Sequence, residues 1–72
     1  MTPAQCRTAR GIAFMTQSRL AEIADVPRNL IMAFEAGSLK LKPAHLEAMR
    51  RVLEQRGVEF VDSDPPRVRL KV

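Results

Sequence analysis

The stretch Thr16-Gln17-Ser18-Arg19-Leu20-Ala21-Glu22-Ile23-Ala24-Asp25-Val26-Pro27-Arg28-Asn29-Leu30-Ile31-Met32-Ala33-Phe34-Glu35-Ala36-Gly37 holds two short apolar stripes on either side of a break. In its first half Leu20, Ile23 and Ala24 recur at helical spacing. Thr16 stands ahead of them, where a threonine oxygen can accept an amide proton from the next turn. The stripe ends near Asp25. Pro27 then breaks it, because it lacks an amide proton and biases Val26 away from helical angles. In the second half Leu30, Ile31 and Phe34 recur in the same way and predict a helix over Arg28–Ala36. Gly37 stands where a left-handed residue closes such a helix. Two short helices joined by a turn of roughly three residues decide the fold.

Working outward, Thr2-Pro3-Ala4-Gln5 reads as a helix start: Thr2 caps, Pro3 fits the first helical position, and Gln5 can reach back to the cap amide. Cys6, Ala9, Ile12 and Ala13 continue it, giving a helix over residues 3–14 that Gly11 weakens by up to about 1 kcal/mol relative to alanine. Ser38 to Lys42 is a connector with two lysines. Pro43 opens a fourth helix with Leu46, Met49, Val52 and Leu53 inward, and Gly57 ends it. The period then changes. Val58-Glu59-Phe60-Val61 reads as a short strand, Asp62 to Pro66 as a turn, and Arg67-Val68-Arg69-Leu70-Lys71-Val72 alternates basic with apolar. Strict alternation predicts a strand with one wet face. The fold class is mainly α: a small bundle of four to five helices over residues 1–57, then a β-hairpin or β-arm over residues 58–72.

The whole chain has 72 residues. Folding at that size buries only about 60% of the surface the unfolded chain exposes, so the core is marginal. Cys6 is the only cysteine and His45 the only histidine. An intrachain disulfide, a zinc cluster, a His-pair metal site and a Ser-His-Asp triad therefore lack their residues. No nucleophile–base set is legible, and the expectation is a protein that is not an enzyme and takes no cofactor. Self-association remains as a route to extra stability. The net charge is +4. Residues 1–57 carry nine basic and five acidic side chains, and residues 58–72 carry three of each. A small basic domain suits a polyanion, nucleic acid before an acidic membrane surface, although a merely solvated basic face fits the charge about as well. No apolar run approaches the ~20 residues of a membrane span. With no signal peptide visible, the expected location is the cytoplasm, with Cys6 reduced.

The segment Gln17–Gly37 meets the requirements of a helix-turn-helix over residues 17–37. Ala21 is small where the helices cross. Leu20, Ala24, Val26, Ile31 and Phe34 can wedge them together, and Arg28 and Asn29 are polar where the second helix begins. Gln17, Leu20-Ala21, Ile31, Glu35 and Gly37 together resemble the Cro and phage-repressor (Xre-type) helix-turn-helix family, and the match in length and helix order spans residues 3–56. The tail from Gly57 also looks like a common ending among short bacterial members. The resemblance implies a phage-repressor-like bundle and a dimeric, sequence-specific regulator of transcription, bacterial or phage, that binds double-stranded DNA, most often as a repressor.

By position, the resemblance implies that Gln17 and Ser18 meet a phosphate or base edge at the start of the second helix. Arg28 and Asn29 match its principal base-reading positions, and their groups suit guanine and adenine edges. Met32 and Ala33 match further positions on the reading helix. Lys40 and Lys42 match the loop that lies along the DNA backbone. Three residues depart from the pattern. Asp25 replaces the usual turn glycine, Pro27 replaces a Ser or Thr cap, and Leu30 and Met32 replace residues that are often polar.

Other residues have plainer readings. Cys6 is expected in the core, and Glu35 in a structural hydrogen bond. Asp62 and Asp64 fit turn chemistry, and Arg50, Arg51 and Arg56 a solvated face. Phe14 fits either a core position or an exposed patch for a partner. The tail fits either an intrachain hairpin covering the bundle or a strand that pairs with a second copy. The second form predicts a homodimer through Phe60, Val68, Leu70 and Val72. Two alternatives share the fold: an antitoxin, whose partner is a second small protein, and an adaptor that binds only protein.

Overall fold

A computed structural model describes residues 1–71. Helices α1 (Pro3–Ala13), α2 (Gln17–Ala24), α3 (Arg28–Glu35) and α4 (Pro43–Gln55) precede strands β1 (Val58–Val61) and β2 (Arg67–Leu70). The chain is mainly α, and its tail takes the form of an antiparallel hairpin. Val72, expected to end the second strand, lies outside the described residues. Among the described residues no helix is long and apolar enough to cross a membrane.

The helix starts follow from their side chains. Thr2 Oγ1 accepts from the Gln5 amide at 3.1 Å, and Gln5 Oε1 accepts from the Thr2 amide at 2.9 Å, a reciprocal capping box. Thr16 Oγ1 accepts from the Arg19 amide at 3.0 Å and caps α2. Proline and lysine offer no such acceptor, so α3 after Pro27 and α4 after Lys42 begin without a side-chain cap.

The helix ends share one device, a left-handed residue. After α3, Gly37 (φ 78°) donates its amide to the Phe34 carbonyl at 2.9 Å, and Ser38 donates to Ala33 at 3.0 Å. These bonds satisfy carbonyls that the helix leaves open. Gly57 (φ 92°) follows α4. After α2 the left-handed residue is Asp25 (φ 57°), with the Val26 amide on the Ala21 carbonyl at 3.1 Å. Aspartate tolerates this region better than most residues, so the turn keeps its form without glycine. After α1 it is Phe14 (φ 55°), with its amide on Gly11 at 3.3 Å and the Met15 amide on Arg10 at 2.9 Å. A side chain there crowds the following carbonyl and costs roughly 1–2 kcal/mol.

The core lies where the helices meet. Leu20, Ile31, Met49 and Leu53 are sealed from solvent, and burying each contributes about 1.5–3 kcal/mol. Each interhelical connector is pinned by one apolar residue: Met15 before α2, Val26 before α3 and Leu41 before α4 are all buried. The bundle is closed by the hairpin. Its register pairs Val58 with Leu70 and Phe60 with Val68, which puts these four side chains on one face. Val58 is 2% exposed and belongs to the core, while Phe60 and Val68 pack against it half-buried. The Phe60 ring also lies 5.0 Å beneath the Arg50 guanidinium carbon. Gln5 Nε2 donates to the Arg67 carbonyl at 3.0 Å and ties β2 to α1. Of the residues read as a dimer surface, Phe60 and Val68 therefore turn toward their own bundle. Leu70 remains 57% exposed.

Candidate nucleic-acid interface

α3 divides into two faces. Ile31, Phe34 and Glu35 are buried and Leu30 is half-buried, so this side is fixed in the bundle. Arg28, Asn29 and Met32 are exposed and Ala33 is half-exposed. At about 100° per residue these four share one arc of roughly 140°. The expected reading residues thus stand together, with the charged and amide groups at the helix start and the apolar ones a turn later. Leu30 packs on the core, which accounts for an apolar residue at a position that the resemblance makes polar.

The lysines are positioned by a residue between them. Leu41 is buried, and its neighbours Lys40 and Lys42 are exposed. The backbone at Lys42 is extended (φ −67°, ψ 153°), and exposure alternates through Lys40, Leu41 and Lys42. One apolar anchor therefore turns two ammonium groups to solvent.

At the start of α2, Ser18 is exposed and Gln17 is half-buried. The Gln17 carboxamide is held from behind: its Nε2 donates to Glu35 Oε1 at 3.0 Å. Its oxygen and second proton can still serve an outside group. Glu35, 5% exposed, is the hub of this arrangement. Arg10 donates to it twice, Nε to Oε2 at 2.7 Å and Nη2 to Oε1 at 2.8 Å, and the Cys6 thiol donates to Oε2 at 3.0 Å. Arg10 also donates to the Met15 carbonyl at 3.0 Å, and Arg7 to the Glu35 carbonyl. One carboxylate therefore joins α1, α2 and α3.

The electrostatics follow from that geometry. Burial opposes the charge on Glu35, but the donors Arg10, Cys6 and Gln17 outweigh it and hold its pKa below the ordinary glutamate value. Burial and the adjacent carboxylate push the Cys6 thiol far above its usual range. The sulfur therefore stays protonated and acts as a donor.

Two features lie beyond what local spacing decides. The Cys6–Glu35 bond spans 29 positions and no local spacing announces it. Phe14 is 95% exposed at the corner before α2, which settles the choice between core and surface. Gln17, Ser18, Arg28, Asn29, Met32, Ala33, Lys40 and Lys42 are all at least partly accessible. No protein-family model matches the chain, and comparison with curated proteins gives no match.

Proposed function

We propose that this chain is a sequence-specific double-stranded DNA-binding regulator of transcription, a repressor that acts as a homodimer, with a phage-repressor-like helix-turn-helix bundle. The observation that carries the reading is the exposed arc of α3. Arg28, Asn29, Met32 and Ala33 face outward while the opposite face is fixed in the core. A side chain that reads a base edge needs such a rigid support, and a guanidinium and a carboxamide at the helix start match guanine and adenine. Phosphate contacts would come from the α2 start at Gln17 and Ser18, and from Lys40 and Lys42. These contacts position the protein and carry no sequence choice. Two copies would place their α3 helices in successive major grooves about 34 Å apart, blocking other proteins from the same site.

The test is selection from a random duplex pool at near-physiological salt, where non-specific binding is weak. The expected result is an enriched motif with two inverted half-sites. A single half-site would remove the dimer and keep the DNA reading. A folded chain that enriches nothing would overturn the reading.

A further inference from the structure

Each of the four helices is followed by a left-handed residue, and the choice of residue differs in a telling way. Two are glycine and one is aspartate. The fourth, Phe14, is an aromatic residue at φ 55°. Its ring is 95% exposed, so packing within the chain does not offset the crowded backbone. The corner does not need the ring either. Its backbone bonds come from the amides of Phe14 and Met15, Arg10 holds the Met15 carbonyl, and its apolar anchor is the buried Met15. A costly conformation with no internal use points to a contact outside the chain.

Chain geometry limits where that contact is. Two residues span at most about 7 Å, so the Phe14 Cα lies within that distance of Thr16, the cap of α2. A DNA strand whose phosphate meets the α2 start at Gln17 and Ser18 would run within reach of this ring. The flanking positions suit that partner. Met15 is buried, while Thr16, Ser18 and Arg19 are exposed and polar or basic. A protein-docking patch would continue the ring into further apolar surface along the corner, whereas the apolar neighbours on α1, Ile12 and Ala13, are half-buried and pack against the core.

We propose that Phe14 is a DNA contact, its ring packed on the apolar face of the deoxyribose next to the phosphate received by the start of α2. This rests on the DNA-binding reading above. The contact adds affinity without base choice and without charge.

Phe14→Gly tests it, because glycine takes the same backbone freely. The probe is the duplex enriched from the random pool by the parent chain. The variant is expected to melt no lower than the parent and to bind that duplex about 3- to 10-fold more weakly. The slope of log affinity against log salt should stay unchanged, since no phosphate partner is lost, whereas Lys40→Ala should flatten it. Phe14→Tyr should restore most of the affinity. Phe14→Gly binding as tightly as the parent overturns this inference alone. Unchanged duplex binding with an altered oligomeric state also overturns it, in favour of a protein contact. A parent chain that enriches no duplex overturns it together with the DNA-binding reading.

Discussion

Single residues carry the sharpest expectations. Arg28 is exposed at the start of α3. Arg28→Ala should cost ~1–3 kcal/mol of binding and relax base preference at one position in each half-site, read by repeating the selection. Lys42→Ala should instead weaken all duplexes alike and flatten the salt slope. Unchanged sequence preference in Arg28→Ala would mean that another element reads the bases. Glu35 gives a pH expectation. Its folded pKa lies below the unfolded value, so the folded state favours the carboxylate. That contribution is complete above the unfolded value of about 4.3 and disappears as pH falls through the folded pKa. Glu35→Gln should therefore lower the urea midpoint at pH 7, and its deficit against the parent should narrow below about pH 4.3. A deficit that stays constant from pH 7 to pH 3 would show that the carboxylate's charge is not what matters.

At the scale of elements, helix boundaries were legible because they are set locally. The capping box at Thr2, the cap at Thr16, the break at Pro27, the closing Gly37 and the start at Pro43 are where the spacing put them. The one weak spot foreseen in α1 is Gly11. A Cβ added there meets nothing within 4 Å, and the residue is helical and exposed. Gly11→Ala should stabilise the chain by about 0.5–1 kcal/mol. For a domain of this size that raises the melting midpoint by several degrees. A midpoint that does not rise would show that the glycine has a use beyond the helix. Less legible were the pairs between elements. The bonds from Cys6, Arg10 and Gln17 to Glu35 join residues 18 to 29 positions apart. Spacing reports the face of a helix, not what that face meets.

At the scale of the whole molecule, β2 presents an outer edge. The Lys71 amide bonds the Gly57 carbonyl at 2.7 Å, which marks residues 57 and 71 as a hydrogen-bonded pair. Alternation along an antiparallel ladder then turns the backbone groups of Val68 and Leu70 outward. This edge, with Leu70 exposed beside it, is a template for a second strand. If the homodimer uses it, Leu70→Lys should weaken dimerisation at least tenfold in sedimentation while leaving the melting midpoint of the monomer nearly unchanged. An unchanged dimer affinity would place the interface elsewhere. Deleting residues after Gly57 would be a poor test, because Val58 belongs to the core and its loss would undermine the fold.

The sequence by itself determined the four helices, the corner at Asp25 and the inward set of Leu30, Ile31 and Phe34 on α3. Those follow from periodicity, caps and backbone preference, which act over a few residues. Only the tertiary structure decided that the tail folds back as a hairpin with Val58 in the core, and that Phe60 and Val68 face their own bundle. It also decided that Glu35 gathers donors from two other helices and that Phe14 stands in solvent. These depend on which surfaces meet in space, and packing at that range has no signature in local spacing.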